Sequence, residues 1–277
     1  MNVSLEQRMA SALAGGGRVV FLTGAGVSAE SGVPTFRGAD GYWTVGSRVY
    51  RPQELATRAA FQTMPDEVWR WYLFRRTACR GAEPNPAHRA LVDAERELGD
   101  RFLLVTQNVD GLHLRAGSSL GRTYQIHGNI DFMRCAGAHE GELVPIPPEV
   151  PAVQQEDPFP EEARALLVCP RCTGRTRPHV LWFDEYYDEA LYRFESSLVA
   201  AAGASVLVTA GTAGATNLPN QMVAAALRAG ALLVDINPDE SPFARAAEDA
   251  GGLWLRGPAS VELPRVARAV AAAIRAG

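Results

Sequence analysis

The chain of 277 residues is short of cysteine, with four, and has no marked excess of either charge, with 27 Lys+Arg against 31 Asp+Glu. Four thiols are far too few for a disulfide framework at this length, so Cys79, Cys135, Cys169 and Cys172 read as thiols of a reducing compartment. A net charge of -4 offers no basic field to grip a phosphate backbone, and no direct nucleic-acid partner is expected. Long apolar runs are missing too. The longest, such as Ser197 to Ala210, are broken by Gly203 and fall short of the roughly 18 to 20 residues that span a bilayer, so no membrane partner is expected. Residues 1–17 lack the basic start, apolar run and cleavage site of a secretory signal, which makes the cytoplasm the expected location. What is present is a balance of 47% apolar and 21% charged residues, enough for a core in one large domain and too apolar for a disordered chain.

Apolar runs alternate with helical patterns. The predicted strands are Arg18 to Thr23, Phe102 to Thr106, Ser205 to Thr209, Ala231 to Ile236 and Gly252 to Leu255, each apolar almost throughout and therefore suited to burial on both faces. The predicted helices are Asn85 to Glu97, Asn217 to Arg228, Ser241 to Ala250 and Pro264 to Ala276. The fold class is α/β, a Rossmann-like parallel sheet with helices on both faces. Two stretches interrupt the rhythm. Residues 38–78 carry an aromatic helical insertion with Trp69, Trp71, Tyr72 and Phe74, and residues 135–177 hold six prolines between Pro145 and Pro160, which forbids long helices and central strands. Residues 18–134 and 178–277 are expected to form the main lobe and 135–177 a small metal-stapled insert, all within one domain.

Two local patterns carry chemistry. Strand Arg18 to Thr23 runs into Gly24-Ala25-Gly26, where glycines let the backbone close on a phosphate and a helix start offers free amides. Such a turn can equally serve helix–strand packing alone, and its spacing is not G-x-G-x-x-G. Cys169-Pro170-Arg171-Cys172 is a C-x-x-C knuckle, with Cys135 34 residues earlier. Structural zinc is tetrahedral and takes cysteine or histidine, so His139 is the candidate fourth ligand, the alternative being a solvent-facing loop residue. Four protein ligands leave no open position, so the zinc would be structural. Cys79 reads as a bystander near a helix end.

The strings GAGVSAESGVPTFRGADGYW (Gly24 to Trp43), TQNVDGLH (Thr106 to His113), HGN (His127 to Asn129) and RPHVLWF (Arg177 to Phe183), in this order, resemble the sirtuin (Sir2) family of NAD-dependent protein-lysine deacylases. The resemblance runs from about Arg18 to about Asp239. It implies a Rossmann domain with a small zinc domain, NAD as cosubstrate, one zinc, and acylated lysine in a protein or peptide as partner; separately, the chain is expected to act as a monomer. By the same resemblance His127 is the catalytic base, Asn108 orders a ribose and a water, and Asp110 accepts the nicotinamide carboxamide. The implied cofactor contacts are Gly24, Ala25, Gly26, Glu30, Thr35, Phe36, Arg37, Gln107, Asn108, Asp110, Gly211, Thr212, Ala213, Asn237, Pro238 and Asp239.

On the substrate side the resemblance makes His179 to Phe183 a strand that pairs with the substrate peptide, the Val180 carbonyl taking the acyl-lysine amide, with Phe183 beside it. Ala56, Tyr72 and Arg75 resemble the class that removes succinyl and malonyl groups. There Tyr-x-x-Arg grips a carboxylate and a small residue leaves room for the longer chain. The competing reading puts Tyr72 in the core and Arg75 in solvent.

Three positions depart from the family's pattern: Ala213 for a serine, Asp184 for a glycine, and His139 for a fourth cysteine. Ala213 removes one hydroxyl contact unless Thr216 or water substitutes, and Asp184 either favours basic peptide flanks or disturbs strand addition. Two other functions use the same pocket: an NAD hydrolase or mono-ADP-ribosyltransferase, and a non-catalytic module for ADP-ribose or acyl-lysine.

Overall fold

The computed structural model describes residues 4–33, 43–45 and 48–276. In chain order the first elements are α1 (Leu5–Leu13), β1 (Arg18–Thr23), α2 (Gly26–Ala29), β2 (Trp43–Val45), β3 (Arg48–Tyr50), α3 (Pro52–Leu55), α4 (Arg58–Thr63), α5 (Pro65–Gly81) and α6 (Pro86–Leu98). Next come β4 (Phe102–Thr106), α7 (Leu112–Ala116), β5 (Thr123–Gln125), β6 (Gly128–Cys135), β7 (Leu143–Pro145), α8 (Glu161–Leu166) and β8 (Thr176–Val180). The chain ends with α9 (Glu189–Tyr192), α10 (Phe194–Ala202), β9 (Ala204–Ala210), α11 (Asn217–Arg228), β10 (Leu232–Ile236), α12 (Pro242–Asp249), β11 (Leu253–Leu255) and α13 (Ala259–Ala276).

Six strands in the order β11-β10-β9-β1-β4-β5 make one sheet whose pairings are all parallel. Alternate side chains sort onto its two faces. Val19, Phe21, Phe102, Leu104, Val206 and Val208 pack with α1, α6 and α13, whereas Val20, Leu22, Leu103, Val105 and Leu207 pack with α10, α11 and α12. Burial on both sides is why these strands read as unbroken apolar runs. The helices start where the sequence offers caps: Asn85 accepts from the Ala87 amide with Pro86 next in line, and Ser241 accepts from the Ala244 amide with Pro242 next.

The α/β class is as the sequence implied, with local corrections. β5 was not anticipated, being three residues long with no apolar run. α13 begins at Ala259 rather than Pro264, because the Glu30 carboxylate accepts from the Ser260 amide and hydroxyl and anchors an earlier turn. A third cluster packs α3, α4 and α5 against an antiparallel sheet of order β7-β6-β8, which carries the proline-rich stretch.

Candidate active site

Between β1 and β9 the strand order reverses: the chain runs from β1 to β4 and β5 on one side and from β9 to β10 and β11 on the other. Open parallel sheets bind ligands beyond the carboxyl ends of the strands at such a point. The loops after β1, β4 and β9 bring Gly24, Ala25, Gly26, Gln107, Asn108, Asp110, Gly211, Thr212 and Ala213 to one cavity of about 510 Å³. The two glycine loops touch main chain to main chain. The Gly26 amide donates to the Gly211 carbonyl at 2.8 Å, and a Cβ on Gly211, whose φ is +59°, would lie 2.5 Å from the Val27 nitrogen. Packing alone therefore demands glycine here, besides anything a ligand requires.

The Gln107 amide bridges the loops, its Nε2 donating to Thr212 Oγ1 at 2.8 Å and its Oε1 accepting from Thr216 Oγ1 at 2.9 Å. Asn108 Nδ2 donates to the Gly24 carbonyl at 3.1 Å and to Ser28 Oγ at 3.0 Å. The buried Asp110 accepts from the Leu112 amide at 2.9 Å. Its carboxyl is raised by burial, against the pull of that amide, of Ser28 and of the nearby Arg115 and Arg75. Behind this layer Ser28 Oγ lies 3.4 Å from His88 Nε2, and the His88 and His113 rings are 4.7 Å apart. Sequence reasoning missed these three residues.

His127 sits just before β6 and lines the same cavity. Gly128, φ +87°, lets the start of β6 close against β8, because a Cβ there would fall 2.1 Å from the His179 carbonyl oxygen. His127 Nδ1 lies 2.9 Å from the Gln107 carbonyl oxygen and Nε2 lies 2.8 Å from the Tyr187 hydroxyl. Burial pushes the imidazole down to about 4, the Gln107 carbonyl opposing it, so the ring is neutral at pH 7.

On the other side of the cavity, Tyr72, Arg75 and Cys79 project from one face of α5, with Ala56, Val180, Trp182 and Phe183 opposite. Tyr72 is in the core as well as at the cavity wall: its hydroxyl accepts from Trp182 Nε1 at 3.1 Å and burial raises its phenol. Arg75 is only 5% exposed, not in solvent. Cys79, read from sequence as a bystander, lines the cavity, and burial pushes its thiol up to about 12.

The strand expected over His179 to Phe183 is instead Thr176–Val180. Beyond it the backbone changes partners, Leu181 donating to the His127 carbonyl at 3.0 Å and Phe183 to the Ala56 carbonyl at 2.9 Å. The Val180 carbonyl accepts from Arg177 Nη2 at 2.9 Å, which leaves one lone pair for a guest.

Several expected contacts lie elsewhere. Glu30 is turned toward Ser260 on α13, not among the cavity residues. Asn237, Pro238 and Asp239 do not line the cavity either. Asn237 Nδ2 donates to both oxygens of the buried Asp235 carboxylate at 3.0 and 2.9 Å, which holds the loop after β10 from behind. Thr35, Phe36 and Arg37 lie outside the described residues.

Cys135, His139, Cys169 and Cys172 bring their ligand atoms within 4.8 Å of one another. Cys135 and Cys172 sulfurs are 3.7 Å apart, and Cys169 Sγ is 3.8 Å from His139 Nδ1. Zinc–sulfur bonds of about 2.3 Å at the tetrahedral angle require edges of about 3.8 Å, so three thiols and one imidazole fit a structural zinc.

Residues 24–217 match the Sir2 family. The chain belongs to that family. Among relatives of this Sir2 chain, the NAD-dependent protein deacylase of Leptospira interrogans (serovar copenhageni) is 38% identical over 253 residues, covering 91% of this chain and 93% of its own. NAD-dependent protein deacylase 1 of Pseudomonas aeruginosa is 40% identical over 259 residues, 92% of this chain and 95% of its own. Among solved structures, a Sir2 homolog–NAD complex superposes with a TM-score of 0.77 at 33% identity, covering 98% of this chain and 94% of that one. A mutant Sir2 homologue with 2'-O-acetyl ADP ribose gives 0.77 at 34%, covering 98% and 96%.

The departures of this Sir2 chain have structural partners. The Asp184 carboxylate accepts from the Arg58 and Ala59 amides at 2.7 and 3.2 Å, so it caps α4. Thr216, expected from the sequence to replace the hydroxyl missing at Ala213, has its proton on Gln107.

Proposed function

We propose that the protein is an NAD-dependent protein-lysine deacylase that releases nicotinamide, free lysine and O-acyl-ADP-ribose. The observation that carries this reading is one cavity lined by the glycine loops, the neutral His127 and the α5 face with Tyr72 and Arg75. In it Gly24 to Gly26, Gly211 and Thr212 hold the phosphates and riboses of NAD, and Asn108 and Asp110 position the nicotinamide end. His127 Nε2 takes a proton from a ribose hydroxyl, imidazole being the side chain suited to that transfer near neutral pH. NAD supplies the cleavable bond to nicotinamide. Val180 and Phe183 hold the acyl-lysine, and zinc at Cys135, His139, Cys169 and Cys172 staples residues 135–177. The protein acts as a cytoplasmic monomer in this reading.

Acidic acyl groups are the preferred class. A guanidinium only 5% exposed in a cavity with Ala56 and Trp182 favours a carboxylate guest. Among the described hydrogen bonds the Tyr72 hydroxyl only accepts, from Trp182, so its proton can serve that guest.

The test is incubation with NAD and acetyl-, succinyl- and malonyl-lysine peptides, with products identified by mass. Succinyl and malonyl peptides are expected to turn over at least as fast as acetyl. Arg75→Met is expected to cost them at least tenfold in kcat/KM, the order of a charge-assisted hydrogen bond of about 1.5 to 3 kcal/mol. Equal losses for all three acyl groups would sink the acidic preference. Nicotinamide released without peptide points to the hydrolase, and binding without product to the module.

A further inference from the structure

The resting imidazole of His127 has a hydrogen-bond partner at each nitrogen. The Gln107 carbonyl 2.9 Å from Nδ1 can only accept, so Nδ1 carries the hydrogen and Nε2 the lone pair. The Tyr187 hydroxyl, 2.8 Å from Nε2, must then donate. That phenol keeps its proton, because burial pushes it up to about 12, and its oxygen has a second neighbour in the Thr216 hydroxyl. Its ring stacks on Phe194 at 6.0 Å, which fixes its approach from behind. The lone pair a base needs is already engaged, by a residue 60 positions away that belongs to none of the four sequence strings.

Resting on the deacylase reading, we propose that Tyr187 is a positioning residue that masks and aims the base. In the free protein its hydroxyl occupies Nε2. When a ribose hydroxyl takes that place, its O–H bond breaks, the new N–H bond forms at Nε2, and the ring becomes imidazolium. Tyr187 keeps its own proton and turns it to Thr216 Oγ1, which can accept because its own hydrogen is on Gln107 Oε1.

A hydrogen bond given to the neutral ring disfavours its ionisation, so the mask adds to burial in keeping the resting imidazole neutral. Among the described residues, the other titratable side chains lining the cavity are Asp110 after β4, Tyr72, Arg75 and Cys79 on α5, and Glu185 after β8. Among the described hydrogen bonds, those of the His127 ring go only to Gln107 and Tyr187.

The test compares Tyr187→Phe with wild type in the free protein, following the His127 ring by NMR. The midpoint is expected to rise by about half a unit or more in the variant, and the acid limb of the kcat/KM profile to move to higher pH by the same amount. Tyr187→Leu, which also removes the ring, is expected to lower kcat further than Tyr187→Phe does. Coincident titrations of wild type and Tyr187→Phe would overturn the proposal, whatever happened to the rates, because a packing role leaves the midpoint in place. Should the variants not fold, the wild-type tautomer decides: Nδ1–H supports the mask and Nε2–H overturns it. The NMR midpoint and the tautomer need no turnover, so a wild type that released no nicotinamide would remove the deacylase reading without touching those two readings.

Discussion

Gly211 shows how much one absent methyl can decide. Its φ of +59° and the 2.5 Å between its hypothetical Cβ and the Val27 nitrogen are separate penalties, and the second falls on main chain that no rotamer change relieves. Gly251 separates the two, with φ +67° and nothing within 4 Å. Gly251→Ala is expected to cost about 1 kcal/mol and Gly211→Ala at least about 2, which lowers Tm by roughly 4 to 8 °C. Calorimetry of both variants checks this; equal shifts would mean the loop contact is slack. At this scale the sequence pointed to the right place where the pattern is local: Gly24 and His127 line the cavity and Cys169 joins the metal cluster. It was opaque where a contact joins distant segments, as with Tyr187 and His127 or Ser28 and His88. Cys79 is an intermediate case. It follows Tyr72 and Arg75 at the i, i+3, i+7 spacing of one helix face, so the period that grouped that pair also pointed to the thiol.

The pair β6 and β8 ties the two ends of the site together as an element. β6 leaves His127 and ends at Cys135; β8 starts four residues after Cys172 and ends at Val180. The metal cluster and the base thus sit at opposite ends of one antiparallel ladder, in which β6 bulges between Gly128 and Met133. Removal of zinc with a strong chelator is expected to raise hydrogen exchange across residues 135–177 first and across β6 and β8 next, with β1, β4 and β9 unaffected. His139→Ala should lower bound zinc below one per chain and His139→Cys should keep it, measured by metal analysis. Full zinc in His139→Ala would exclude the imidazole as a ligand. The C-x-x-C knuckle was readable because a chelate is local. The course of residues 181–183 was not, since its backbone partners, His127 and Ala56, are chosen by tertiary packing.

Across the whole molecule, four of the five histidines are held neutral by burial: His88 and His127 are pushed down to about 4, His179 to about 3, and His113 well below the ordinary value. Unfolded histidine titrates near 6.5, so below that pH the unfolded chain binds protons that the folded chain refuses. Stability contributed by these rings is therefore intact above about pH 6.5 and drains away as pH falls toward 4. Each unit of depression is worth about 1.4 kcal/mol once fully expressed, so together they reach several kcal/mol by pH 4.5 against a total of roughly 5 to 15. The Arg177-paired Glu185, whose carboxyl is lowered despite burial, adds to the acid loss at the bottom of this range. Asp110 and Asp235 are raised by burial and oppose it, since their protonated forms suit the fold. Histidines outnumber them and titrate earlier, so the net sign is loss. Tm is expected to be flat between pH 8 and 7 and to fall steeply between 6.5 and 4.5, while a zinc indicator reports whether metal leaves at the same point. A fall in Tm that merely tracked metal release, and vanished when free zinc was held high, would assign the acid sensitivity to the staple and not to the buried rings.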